Sequence, residues 1–63
     1  MMIDITIDNN RVFVEGKEYH SFNEREQLSQ MLQDVIEKAK YSGETISLWV
    51  LLHDGKHFIK EWH

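Results

Sequence analysis

The last nineteen residues, 45–63, constrain the fold of this chain most strongly, because they predict a β-hairpin with apolar side chains on both faces. Asp54-Gly55 is typical of a two-residue type I′ turn, which needs positive φ at both central positions. This turn places Val50 opposite Ile59 in the paired strands. The hairpin therefore predicts a sheet at the C-terminal end of the chain.

The register decides which side chains share a face of the hairpin, since neighbours along a strand point to opposite sides. One face carries five aliphatic side chains: Ile46, Leu48, Val50, Leu52 and Ile59. The other face carries four large apolar side chains and one lysine: Trp49, Leu51, Phe58, Trp62 and Lys60. A small sheet needs only one apolar face for its core, so the second apolar face predicts an interaction surface.

The chain has 63 residues, which suffices for one small domain spanning 1–63. It contains no cysteine, so disulfides and thiolate metal sites are excluded. It has no apolar run near the roughly 18 residues of a membrane span, and no basic stretch leading into an apolar one. We therefore expect a cytoplasmic protein with no membrane segment.

A first hairpin is predicted at the start of the chain, because isoleucines alternate with polar residues over 3–8. Asn9-Asn10 forms a two-residue loop in this prediction and places Ile5 opposite Val14. The apolar face of the hairpin then belongs to the core. The reverse face is polar apart from one aromatic ring: Asp4, Thr6, Asp8, Arg11, Phe13 and Glu15.

A helix is predicted to begin at Asn23, because Asn23 and Glu26 have the spacing of a capping box. Apolar residues recur behind it at spacings of three and four: Leu28, Met31, Leu32, Val35, Ile36 and Ala39. Gly43 is the expected C-terminal cap. This helix has one narrow apolar stripe and can cover one face of a sheet.

The predicted fold class is α+β, with an antiparallel sheet of four or five strands and the helix packed on one face. Gly16-Lys17 marks a reversal, and residues 18–22 supply the optional short third strand. The element order is hairpin, short strand, helix, hairpin. The apolar side chains left on the opposite side of the sheet form the candidate interaction surface.

Catalysis and metal binding receive little support from the residue pattern. The serines lie in no nucleophile elbow, glycine-rich phosphate loops are lacking, and the carboxylates of the first hairpin resemble a solvated face more than an acid/base pair. The best metal set, His53 and His57 with Asp54 or His63, is split between two faces by the predicted register. We expect no enzyme activity, no cofactor and no metal.

The closing hairpin resembles the terminal hairpin of some small phage-encoded anti-CRISPR inhibitors. The resemblance is carried by Leu48-Trp49, Asp54-Gly55-Lys56 and Phe58-Ile59. The general form is also similar to other small phage proteins that occupy a functional surface of a host protein. The resemblance implies a non-enzymatic inhibitor, encoded by a phage or mobile element, that acts through its sheet face or acidic edge.

The function expected is therefore protein binding, with a host protein or complex as the partner. Aromatic and aliphatic side chains supply the anchors and carboxylates steer a basic partner. The predicted partner-binding residues are Trp49, Leu51, Phe58, Lys60, Trp62, Phe13, Asp4, Asp8 and Glu15.

Two alternatives remain at this point. The aromatic faces of two copies could bury each other in a structural homodimer. The face could instead stack unpaired bases, as sheet-surface RNA binders do. The net charge of −4 argues against nucleic-acid binding, which needs several basic side chains near phosphates.

Overall fold

A computed structural model of the chain describes residues 2–63 and contains one helix and a five-stranded sheet. The elements in chain order are β1 (Met2–Asp8), β2 (Arg11–Val14), β3 (Lys17–Ser21), α1 (Arg25–Tyr41), β4 (Thr45–Leu52) and β5 (Gly55–Trp62). The strand order across the sheet is β3-β2-β1-β4-β5. The predicted α+β class is confirmed, and the optional third strand is present.

The sheet is mixed, which corrects the expectation of a wholly antiparallel one. β1 and β4 lie side by side at its centre and run parallel, with Ile5 paired to Leu48. The other three strand pairs are antiparallel. The parallel pair requires a crossover, and α1 makes that crossover on one side of the sheet.

The first hairpin has the predicted register, with Ile5 opposite Val14 across an Asn9-Asn10 loop. Asn9 adopts a positive φ of 55°, a conformation that Asn tolerates well. The next turn is one residue earlier than predicted. Its two loop residues are Glu15 and Gly16, both with positive φ, because β3 already begins at Lys17.

The helix begins later than its sequence signal. Glu24 is the N-cap residue and makes no side-chain capping bond, so the capping box predicted for Asn23 and Glu26 is wrong. The Gln27 side chain instead accepts a hydrogen bond from the Asn23 backbone N–H at 2.8 Å. The predicted glycine cap is confirmed, since Gly43 has φ +70° just after the helix and the following N–H bonds back to the Ala39 carbonyl.

The core lies between α1 and one side of the sheet, which we call the helix side. Its buried apolar residues come from four elements: Ile5, Val12, Val35, Ala39, Ile46 and Leu48. Burying these side chains removes their apolar surface from water and is the main source of stability. The opposite side of the sheet, which we call the outer face, is not covered by any helix within residues 2–63.

The closing hairpin differs from its predicted register. His53 and Asp54, rather than Asp54 and Gly55, are the two loop residues, so Leu52 pairs with Gly55. Trp49 then pairs with Phe58, while Leu48 pairs with Lys60. Ile59 is therefore an extra residue on β5, a β-bulge that reverses which side of the sheet the next side chains face.

No helix formed by residues 2–63 has the length and apolar character needed to cross a lipid bilayer.

Candidate functional site

Three rows of side chains run across the middle of the outer face, and Met2 and Thr45 lie beyond them at the start of β1 and β4. The middle row, which we call the central row, contains one residue from each of four strands: Phe13, Thr6, Trp49 and Phe58. A second row lies nearer the loops that follow β1 and β4 and contains Arg11, Asp8, Leu51 and Lys56. On the other side of the central row lie Asp4, Ser47 and Glu61. The outer face thus combines an apolar centre with charged surroundings.

The aromatic rings of the central row contact each other. The Trp49 and Phe58 ring centroids are 5.3 Å apart at an interplanar angle of 72°, an edge-to-face arrangement. Phe58 nevertheless remains 53% exposed, and Leu51 in the neighbouring row is also exposed. The sequence prediction placed Phe13, Trp49, Leu51 and Phe58 on one face, and the strand pairing agrees with that placement.

Two residues predicted for this face lie on the helix side instead. Lys60 pairs with the buried Leu48, and Trp62 pairs with the buried Ile46 and packs against the core. The bulge at Ile59 is the physical reason, because one extra residue exchanges the two sides of the strand beyond it. Ile59 itself, predicted to be a core residue, is 54% exposed.

Lys56 belongs to the outer face, although the sequence prediction did not select it. Its Nζ lies 4.9 Å from the centroid of the Trp49 ring, within the range of a cation–π interaction. The corrected turn places Lys56 opposite Leu51, beside the aromatic pair. The sequence prediction placed the turn one residue too late, which paired Lys56 with His53 instead of Leu51.

A hydrogen-bond chain joins the apolar centre to the acidic strand β1. The Trp49 Nε1–H donates to Ser47 Oγ at 3.0 Å, and the Ser47 hydroxyl donates to Asp4 Oδ1. Ser47 is buried, whereas Asp4 and Trp49 are half-buried, so both bonds are partly shielded from water. These bonds hold the Trp49 ring in one orientation and fix the Asp4 carboxylate next to it. The sequence contains no motif that predicts this contact between β1 and β4.

The remaining predicted acidic residues lie at the edges of the apolar centre. Asp8 is opposite Arg11 in the first hairpin, and Arg11 also approaches Glu18 at 3.5 Å. Glu15 lies in the β2–β3 turn, where its Oε1 accepts the Asp4 backbone N–H at 3.2 Å. Asp4, Asp8 and Glu15 therefore lie beside the aromatic residues, on the β1–β2 half of the sheet.

The two edges of the sheet are poorly suited to pairing with another strand. Edge strand β3 contains a bulge at Tyr19, and edge strand β5 contains the bulge at Ile59. Lysines also lie on both edges, at Lys17 on β3 and at Lys56 on β5. Bulges and lysines are common means of preventing edge-to-edge association. The outer face has no comparable protection at its centre.

Among residues 2–63, no three His, Asp or Glu side chains lie close enough together to hold a metal ion. The histidines of the best predicted set have separate partners: His57 Nε2 lies 2.8 Å from Asp54, and His63 Nε2 lies 2.9 Å from Glu61.

An open recess of about 210 Å³ lies between α1 and the sheet. Its lining is mainly apolar and includes no carboxylate, imidazole or thiol: Ile3, Val14, Tyr19, Val35, Lys38, Ala39 and Ser42. The polar side chains of this lining are Tyr19, Lys38 and Ser42. The outer face is the better candidate for a protein-binding surface because its aromatic rings are clustered and partly exposed.

Comparisons with protein-family models, with curated proteins and with solved structures gave no significant match to this chain.

Proposed function

We propose that this chain is a non-enzymatic protein-binding module and that its outer face docks on a partner protein. The observation that carries the proposal is the row of Phe13, Trp49 and Phe58 on the side of the sheet opposite the helix. Aromatic side chains have few rotatable bonds and large contact areas, so they lose little entropy on binding and dominate many interfaces.

The apolar side chains that remain exposed on the outer face support the proposal. Because wet sheet faces are ordinarily polar, a face with exposed Leu51 and Phe58 is better suited to contact with protein than with water.

The charges of the outer face indicate the chemistry of the partner. Five carboxylates lie on the face and its rim, against two basic residues: Asp4, Asp8, Glu15, Glu18, Glu61, Arg11 and Lys56. Such a surface favours a protein with an apolar patch bordered by Lys or Arg. The same balance disfavours a nucleic-acid backbone, which the acidic residues would repel.

The biological setting proposed is inhibition of a host protein or complex by a phage or mobile-element protein, in the manner of an anti-CRISPR. This part of the proposal rests on the resemblance of the closing hairpin. The host cytoplasm is the corresponding location. An inhibitor of this kind needs no active site, since covering a functional surface is sufficient.

The test compares two exposed aromatic residues on different sides of the molecule. Phe58→Ser changes the centre of the outer face, whereas Tyr41→Ser changes a ring that is 96% exposed at the end of α1. We expect Phe58→Ser to weaken binding to a purified host target about tenfold or more, because it removes a central anchor. Tyr41→Ser should bind like the unchanged chain.

The target is first captured from a host lysate and then purified, so that the affinities are measured between two defined proteins by calorimetry. Circular dichroism of each variant confirms that the fold is retained. Equal weakening by both substitutions, or no weakening by Phe58→Ser, would contradict docking through the outer face.

A further inference from the structure

The β5 part of the outer face is self-complementary in charge about the central row, although the whole face carries five carboxylates against two basic residues. Along β5, Lys56 and Glu61 are the two neighbours of Phe58 on the outer face, one on each side of it. Glu61 is three residues after Phe58 and Lys56 two residues before it, and the bulge at Ile59 absorbs the difference. A basic group and an acidic group are therefore placed symmetrically about the aromatic ring.

We infer that, when no target is bound, a second copy of this chain covers the outer face about a two-fold axis running along the central row. The inference rests on the proposed function in taking the outer face as the protein-binding surface, and it names the occupant in the free protein. About this axis the aromatic rows of the two copies pack against each other. Lys56 of each copy then lies over Glu61 of the other, and a host target binds by displacing the second copy.

The other charges favour the same arrangement. Arg11 of each copy lies over the corner of the other that holds Asp4 and Glu15. Like charges approach each other in two places. Asp8 lies over Asp4, where Asp4 already accepts the Ser47 hydroxyl and Asp8 has Arg11 beside it. Glu18, which pairs with Phe13, lies on the axis over Glu18 of the other copy, and each Glu18 has Arg11 at 3.5 Å. These neighbours reduce the repulsion between the carboxylates.

A two-fold axis along the strands gives a worse match. This axis places β4 of one copy over β1 of the other. Lys56 of one copy then lies over Arg11 of the other, and Glu61 of one copy lies over Glu15 of the other. Both contacts join like charges, which destabilises an interface. Of these two arrangements, the axis along the central row gives the better charge match, with the strands of the two facing sheets close to antiparallel.

The size of the face sets the expected strength of the dimer. Five strands spaced about 4.8 Å apart, with three rows of side chains, bury about 500 Å² per copy. The total of about 1,000 Å² is at the low end for specific interfaces. We therefore expect a dimer in the micromolar range, weak enough for a target to replace.

Sedimentation velocity of the full chain tests this inference, with the protein itself as the probe. From about 5 to about 500 µM we expect the mass to rise from 7.6 kDa toward twice that value. Lys56→Glu and Glu61→Lys should each raise the dissociation constant about tenfold, because each creates two like-charge contacts. Mixing the two variants in equal amounts should restore dimers, since the mixed pair again places opposite charges together.

The mixture also serves as the control for effects within one chain. Lys56→Glu loses its contact with the Trp49 ring, but that loss is the same in the mixture as in the variant alone. A chain that stays at 7.6 kDa at the highest concentration would overturn the inference, as would a mixture that does not dimerise better than its components. Dimers that form equally well after Phe58→Ser would also overturn the inference, because they would have to form through another surface. A monomer whose target binding depends on Phe58 would leave the proposed function intact.

Discussion

Replacing Ile5 with Ala is expected to destabilise the chain by about 3–4 kcal/mol, since the Ile5 side chain is fully buried, at 0% exposure, between the sheet and α1. The change removes three methyl or methylene groups from the centre of the core and leaves a cavity. A domain of 63 residues typically has about 3–9 kcal/mol of stability in total. We therefore expect this variant to lose at least about a third of the stability of the chain at 25 °C.

Ile59→Ala is the matched control, because it makes the same chemical change at a bulge residue that is 54% exposed. It should cost less than about 1 kcal/mol. Urea denaturation followed by circular dichroism measures both values. Similar losses for the two variants would mean that Ile5 and Ile59 do not differ in burial as described.

Trp62→Ala is expected to cost about 2–3 kcal/mol, because the Trp62 ring packs against the core on the helix side. Phe58→Ala should cost about 1 kcal/mol or less, since Phe58 is more than half exposed on the outer face. The free energies of unfolding in urea provide the comparison. The two aromatic residues lie on the same strand, so the difference between their losses of stability depends on the bulge between them.

This pair of variants tests the register of the closing hairpin directly. Without a bulge, Phe58 and Trp62 would face the same side of the sheet, because they are four residues apart. Similar small losses from the two variants would restore the arrangement predicted from the sequence, with both residues on the outer face. A larger loss of stability from Phe58→Ala than from Trp62→Ala would remove Phe58 from the candidate site.

The first hairpin could be read from the sequence because its signals agree. Alternating isoleucines fix which side of β1 is buried, and the Asn9-Asn10 loop fixes the pairing of β1 with β2. The C-terminal end of the helix was equally clear, since Gly43 follows the last apolar position of the stripe and adopts the positive φ that the cap requires.

The second hairpin could be read only in part. Moving the turn by one residue shifts the pairing register by two residues, which leaves every side chain before the bulge on its predicted face, so Trp49, Leu51 and Phe58 were assigned correctly. The bulge adds one residue to β5, so Lys60 and Trp62 face the side of the sheet opposite to the predicted one. Nothing in the local composition marks a bulge at Ile59. In the folded structure Trp62, which follows the bulge, packs against the core.

The pairing of β1 with β4 also lay beyond the sequence signals. The two strands are separated by β2, β3 and α1 along the chain, and neither contains a motif that specifies a parallel neighbour. This pairing brings Asp4, Ser47 and Trp49 together. The sequence therefore indicated the composition of the outer face, whereas its internal hydrogen bonds depend on the tertiary fold.

The most direct test of docking through the outer face uses the two tryptophans as reporters on opposite sides of the sheet. The Trp49 indole lies on the outer face, and the Trp62 indole lies on the helix side. Their two N–H signals are resolved in a ¹⁵N–¹H correlation spectrum, which is recorded while the purified host target is added. We predict that the Trp49 signal shifts or broadens while the Trp62 signal stays in place. A change at Trp62 and in the helix signals, with Trp49 unmoved, would contradict the proposed surface.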